Sequence, residues 1–363
     1  MYKKIISLFL CAAFFVSSTC FVSAQQDDSP VTGTLKIVDF NVDGLPVPSF
    51  LSSSGKNVFT SADSIIGFLN EHSCDILMMQ ENFNLYKKYT DSLDMPYITA
   101  SSGGAGVGDG LGIASKMPVY NVAHIPWDSA YGILNAGSDE LTPKGFLSVT
   151  LELGEGIYID VYTLHADANE DENSLQAKRE QFKQLSDYID SHSKDRAVII
   201  AGDFNSNFSI VLGDELRETF IDRGFKDTWV EACNGGNYNS TYDELYNKYQ
   251  IHYWGHYDCL DKIFYRDGGG VNFDILSHDY EFCYTTSTSG ETVIASDHAA
   301  CIAELKYTVS ETESSEIELL PEQGISFADK FKRFIKSLFN ALKLIISQVP
   351  GLISGDIQPD WMK

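Results

Sequence analysis

The sequence predicts one large layered α/β domain built on mixed β-sheet. Three observations point there. Short apolar, β-branched runs alternate with polar stretches of helical spacing from about Thr34 to Thr308. That span suits a single core. A strand-dense meander around residues 112 to 164 breaks the strand–helix alternation that a doubly wound sheet needs.

Taken in order, Leu35 to Phe40 reads as the first strand. A helix over Ser61 to Glu71 follows, with Ile65, Ile66, Phe68 and Leu69 on one side, and Ile76 to Met79 is the next strand. Gly112 to Ser115, Phe146 to Leu153 and Ile157 to Leu164 are strands of the meander. Leu175, the stem of Lys178, Phe182, Leu185 and Ile189 recur every three or four residues and predict a helix over Ser174 to Ser191, capped by Asn173 or Ser174. Ala197 to Ala201, Lys262 to Tyr265 and Ala300 to Tyr307 complete the set.

The ends differ from this middle. Lys3 and Lys4, the apolar run Ile5 to Val16 and the small residues Val22-Ser23-Ala24 read as a signal peptide over residues 1–24 and imply export. A lipoprotein anchor at Cys20 would need an aliphatic residue where Ser17-Ser18-Thr19 stands. Residues 25–33 form a short tail and 34–308 the folded domain. Residues 309–324 form an acidic linker carrying Glu311, Glu313, Glu316, Glu318 and Glu322. In residues 325–363, Phe327, Phe331, Phe334, Ile335, Leu338, Leu342, Ile345 and Val349 make an apolar helical stripe, with Lys330, Lys332, Arg333, Lys336 and Lys343 on the other faces. Such a helix faces either protein, this domain or a second copy, or an anionic membrane surface.

Formal net charge is -25, and loss of Lys3 and Lys4 with no acid among the first 24 residues takes it to -27. That field weighs against duplex nucleic acid as a partner. Cys74, Cys233, Cys259, Cys283 and Cys301 remain after the leader, an odd number without CxxC spacing, so no thiolate zinc site is indicated; one or two disulfides or buried free thiols both fit. The glycines from Gly103 to Gly112 match neither GxGxxG nor a GxxxxGK[ST] loop, and nucleotide-cofactor folds are unsupported. They read as a mobile loop at a cleft rim.

Five segments place Asp, Glu, Asn or His at strand ends: Asp39-Phe40-Asn41-Val42-Asp43, Met79-Gln80-Glu81-Asn82, Thr163-Leu164-His165-Ala166-Asp167, Gly202-Asp203-Phe204-Asn205 and Ser296-Asp297-His298. Phosphate-ester hydrolysis needs oxygen ligands for a metal, a base for water, and donors for the phosphoryl oxygens, which these residue types supply. Their order resembles the endonuclease/exonuclease/phosphatase superfamily across about Thr34 to Tyr307. Asn41-Val42-Asp43-Gly44-Leu45-Pro46, Gly108-Asp109-Gly110-Leu111, Leu141-Thr142-Pro143-Lys144-Gly145-Phe146 and Asp160 to Asp167 are similar to its secreted sphingomyelinase-like branch.

The resemblance implies a deoxyribonuclease-like four-layer α/β (α+β) sandwich: two packed mixed sheets flanked by helices, with the site at one edge. Residues 34–308 would then be the catalytic domain. It also implies Glu81 as principal Mg²⁺ ligand with Asn41 and Asp297 nearby, Mn²⁺ or Ca²⁺ being the alternatives. His298 would be general base, oriented by Asp261, with Asp258 a rival because Lys262 stands where relatives often carry an aromatic residue. Asp203 would position water, Asn205 and His165 would donate to phosphate oxygens, and Asp109 could support His165. The aromatic density from Tyr238 to Tyr257, including Tyr242, Tyr246, Tyr249, Tyr253 and Trp254, could pack in the core, cage a quaternary ammonium such as phosphocholine, or form an interfacial foot on lipid. The expected substrate is a phospholipid head-group phosphodiester at a membrane surface, with a deoxyribonuclease-like endonuclease as the alternative.

Overall fold

The computed structural model describes residues 30–45, 57–105, 107–132, 139–140, 142–250, 256–310, 317–328, 330–332, 335 and 339. The signal-peptide reading, Tyr253, Trp254 and most of the C-terminal helix lie outside them. In chain order the elements are β1 (Val31–Asn41), α1 (Val58–His72), β2 (Ile76–Gln80), α2 (Tyr86–Thr90), β3 (Tyr97–Ile98), β4 (Gly112–Ser115), β5 (Val119–Pro126), β6 (Gly145–Gly154), β7 (Ile157–His165), α3 (Glu172–His192) and β8 (Ala197–Asp203). Then follow α4 (Gly213–Thr219), β9 (Lys226–Asp227), α5 (Thr228–Cys233), α6 (Tyr242–Tyr249), β10 (Asp261–Arg266), β11 (Val271–Glu281), β12 (Tyr284–Thr286), β13 (Thr292–Ile294) and β14 (Ala300–Val309).

They make two mixed six-stranded sheets, ordered β11-β14-β1-β2-β4-β3 and β5-β6-β7-β8-β10-β9, flanked by helices, with β12-β13 a separate ribbon. Each large sheet holds one parallel pair, β1 with β2 and β7 with β8, and every other strand pairing among the described residues is antiparallel. A parallel pair needs a crossover, and α1 and α3 are the two long helices that supply it.

Strand periodicity decides which residues meet. In β1, Val38 and Phe40 pack with Ile65 and Leu69 of α1, while Leu35 and Ile37 enter the core shared by the two sheets. Period two therefore turns Asp39 and Asn41 to the inter-sheet side. The same parity in β2 sends Leu77 and Met79 to α1 and leaves Gln80 facing the other sheet, where its amide donates to Asp39 Oδ1 (2.8 Å) and Thr163 Oγ1 (2.9 Å). A fully buried Leu or Phe in these layers contributes about 1.5–3 kcal/mol.

Helix α3 starts earlier than its apolar spacing indicates: Asp171, not Asn173 or Ser174, is the N-cap and accepts from both of their amides. Its carboxylate also complements the helix dipole. The five cysteines among the described residues are free, four of them buried. The glycine-rich loop is packed. A Cβ on Gly108 would lie 2.2 Å from the Gly103 carbonyl oxygen and one on Gly110 2.6 Å from the Phe83 ring, so the close approach requires glycine there. The stretch 317–323 runs along β5, with Gln323 donating to Val122 O (2.9 Å) and accepting from His124 N (2.8 Å).

Candidate active site

The C-terminal ends of the two parallel pairs point the same way across the inter-sheet gap, so four strand ends bring polar side chains together. Asn41 ends β1, Glu81 follows β2, His165 ends β7 and Asp203 ends β8. Asn41 donates its amide to Asp203 Oδ2 (3.1 Å) and Glu81 Oε1 (3.3 Å). His165 Nε2 lies 3.3 Å from Asp203 Oδ2 and 4.0 Å from Glu81 Oε1. Glu81 has φ +57°, left-handed backbone that is unusual for a non-glycine residue and turns its carboxylate back over the strand ends. Asn205 shares that conformation at φ +46°. Its side chain donates to Ala166 O (3.2 Å), and its backbone amide donates to Asp203 Oδ1 (2.9 Å).

The Ser296-Asp297-His298 turn closes the site from the first sheet. Ser296 donates to the Asn41 carbonyl (2.6 Å) and accepts from the His298 amide (3.1 Å). His298 Nδ1 is 2.7 Å from Asp261 Oδ2, and its Nε2 is 3.7 Å from Asp203 Oδ2. Asp297 Oδ1 lies 4.0 Å from the same Nε2, on a side chain that is 70% exposed, so it stands at the rim.

Asp258 is engaged elsewhere: it accepts from the Phe208 and Ser209 amides and from Lys262 Nζ (3.0 Å). Asp109 does not reach His165. Its carboxylate is 2.6 Å from His124 Nδ1 and accepts from Ser102 Oγ, because the glycine-rich loop folds onto β5. Among the described tyrosines of the aromatic segment, Tyr242 stacks with Tyr246 and Tyr249 with Tyr257, while Tyr238 packs edge-on against Phe208.

One residue at the site had no role in the sequence reading. Lys144 Nζ is 2.9 Å from His165 Nε2 and ion-paired with Asp139. Both lie near the start of β6, and no local pattern distinguishes a lysine there from a solvated one. The signal was its place in the Leu141 to Phe146 motif.

Electrostatically the site holds surplus negative charge. Burial pushes the Glu81 carboxyl above its usual range against the pull of Lys144 and His298. Burial likewise raises Asp203, with Asp261 adding repulsion against the pull of His298 and Lys144. Burial alone would lower His298, yet Asp261 and Asp203 beside it raise it well above the ordinary histidine value. His165 is driven the other way, first by burial and then by Lys144 and His298, and is neutral. Asp39 Oδ2, Asp261 Oδ1 and His165 Nδ1 are buried without hydrogen-bond partners. Ligating atoms of Asp203, Asp261 and His298 lie within 4.8 Å of one another. Carboxylate oxygens in excess, beside an amide and imidazoles, suit a hard divalent cation.

The family model described as the Endonuclease/Exonuclease/phosphatase family matches residues 40–298. A curated sphingomyelinase of Mycobacterium tuberculosis (strain ATCC 25618 / H37Rv) is 28% identical over 297 residues, covering 80% of this chain and 56% of its own length. The chain thus spans just over half the length of that relative. Among solved structures, a beta toxin from Staphylococcus aureus with bound magnesium ions gives a TM-score of 0.52 at 20% identity, over 75% of this chain and 99% of the toxin chain. TDP2 of D. rerio, complexed with a single-strand DNA product, gives 0.54 at 17% identity over 75% and 99%.

Proposed function

The chain belongs to the endonuclease/exonuclease/phosphatase family, and on that premise we propose that it is a secreted, Mg²⁺-dependent phosphodiesterase that hydrolyses the head-group phosphodiester of a phospholipid, as a sphingomyelinase C does. The observation that carries the hydrolytic part is the meeting of Asn41, Glu81, His165, Asp203 and His298 at strand ends from both sheets, with Asp261 behind His298. The lipid part is supported by the similarity to a sphingomyelinase over 80% of the chain and by the acidic charge of -25, which repels nucleic acid.

Glu81 and Asn41, with Asp297 at the rim, would hold the cation. Bound there, it supplies Lewis-acid stabilisation of charge on the phosphoryl oxygens. With the carboxylate surplus neutralised, His298 Nε2 is free to take a proton from the attacking water, while Asp261 fixes the ring through Nδ1. Asp203, 3.7 Å from that Nε2, positions the water. Lys144 and the side-chain amide of Asn205 would donate to the phosphate, while neutral His165, whose Nε2 accepts from Lys144 Nζ (2.9 Å), would hold that ammonium in place.

A second reading, a secreted deoxyribonuclease-like endonuclease, draws on the shared fold of a DNA-processing protein. Purified protein incubated with sphingomyelin vesicles and, separately, with plasmid DNA, each with Mg²⁺ and with chelator, separates the two. Phosphocholine release that the chelator abolishes is the expected result. Nicked plasmid beside intact lipid would replace the lead reading with the second.

A further inference from the structure

The C-terminal stretch is tied to the catalytic domain and still presents apolar surface to solvent. Along β5, Asn121 donates to Glu318 O (3.2 Å) and accepts from Leu320 N (2.9 Å), Gln323 exchanges hydrogen bonds with Val122 and His124, and Ile325 is buried. The residues that follow are helical at 327, 328, 330–332, 335 and 339. Lys330 donates to the Ser102 carbonyl, which fastens this helix to the glycine-rich loop. That loop reaches the active site: Gly110 O accepts from Asn82 N (3.1 Å), one residue after Glu81, and Ala105 N donates to Asn84.

Phe327 is 82% exposed, Phe331 55% and Phe339 61%, with the first two rings 6.3 Å apart and stacked. At about 100° per residue, Phe327, Phe331, Ile335 and Phe339 occupy an arc of about 120°, and Lys330 and Lys332 flank its two sides. Three solvent-facing phenylalanines on so short a stretch are costly for a face that meets only water.

We propose that this ridge is an interfacial foot that seats the enzyme on a lipid surface bearing anionic head groups, on the side where the active site opens. The inference rests on the lipid reading above. Local charge decides the occupant: Lys330 and Lys332, flanking the ridge against the chain's overall charge of -25, complement anionic phosphates, and a fluid acyl boundary accepts a convex ridge that needs no shaped hollow. Continuity with the loop beside Glu81 lets the anchored enzyme meet its substrate without leaving the surface. No helix among the described residues is long and apolar enough to cross a membrane, and an apolar ridge flanked by lysines is the pattern of a helix lying in the interface plane.

The test compares the full chain with a Phe327→Ser/Phe331→Ser/Phe339→Ser variant by cosedimentation with phosphatidylcholine vesicles containing phosphatidylglycerol and no sphingomyelin. Binding is then read without hydrolysis. The variant should bind about tenfold more weakly or worse, a change of about 1.4 kcal/mol, while its melting temperature and its hydrolysis of bis(p-nitrophenyl) phosphate stay unchanged. Equal binding of the two proteins would overturn the proposal. So would a wild-type dimer that the substitutions dissociate while vesicle binding persists, since a second copy would then cover the ridge. Ridge-dependent binding by a protein that hydrolyses no lipid would leave the foot standing and remove the lipid-hydrolase reading.

Discussion

Two buried charged clusters of this molecule contrast sharply. At the strand ends, Glu81, Asp203 and Asp261 crowd His298 and Lys144, and buried oxygens of Asp39 and Asp261 lack partners. Under the loop after β8, Lys262 sits 3.0 Å from Asp258 and 4.0 Å from Asp227, with its ammonium 4.6 Å over the Phe208 ring. There Asp258 accepts two backbone amides and Asp227 caps α5 through Val230 N. The second cluster is satisfied and therefore structural. The first has charge and buried oxygens left without partners among the described residues, which supports the proposal that chemistry occurs there.

The largest expected effects break the contrast from the catalytic side. Glu81→Gln and His298→Ala should each lower turnover at least about 10³-fold, since each removes a proposed cation ligand or the proposed base. Glu81→Gln should also leave the melting temperature unchanged or raised, because it takes charge out of a surplus. A large loss of stability in that variant would mean that the cluster is held together by Glu81 and is structural after all.

The converse change is Lys262→Met, which strands two buried carboxylates. Loss of about 3–5 kcal/mol in urea unfolding is expected. A stability change under about 1 kcal/mol would show that Asp258 and Asp227 do not depend on their partner. Smaller again is Lys144→Met, which should cost about 10²-fold in kcat at the phosphate while the fold persists. Wild-type kcat would confine Lys144 to pairing with Asp139.

The sequence carried the first cluster more legibly than the second. Asn41, Glu81, His165 and Asp203 fall at the ends of short apolar runs, continuous in Ile76–Met79 and Ala197–Ala201, so their strands could be read, while their common edge came from the order of the motifs and the family it resembles. Strands β5 and β11 were missed, and both carry register shifts, between Tyr120 and Ala123 and between Ile275 and Ser277. A bulge resets the alternation that identifies a strand. Lys262 and Lys144 are ordinary lysines in one dimension. Their burial arises where loops from distant parts of the chain meet, and no local spacing encodes that.

A third cluster lies between the other two in character and gives the finest test. His124 on β5 is buried with Nδ1 2.6 Å from Asp109 Oδ2 and Nε2 3.3 Å from Ala100 O, and Asp109 also accepts from Ser102 Oγ (2.6 Å) and Leu111 N (3.0 Å). A neutral imidazole can donate to only one of its two acceptors, whereas the imidazolium serves both. Burial disfavours the charge, but the Asp109 hydrogen bond and carboxylate overcome it and raise the histidine above its ordinary value. A folded value above the unfolded one of about 6.5 means that the stabilisation is complete below that pH and is lost as pH rises through the folded value. Stability from chemical denaturation should therefore fall on the alkaline side of that window. His124→Asn should flatten this step while leaving kcat within about twofold, because the loop, and not the strand ends, absorbs the loss. A wild-type profile without the step would show that Asp109 and His124 pair with the ring neutral, and would move this cluster to the fully satisfied side of the comparison.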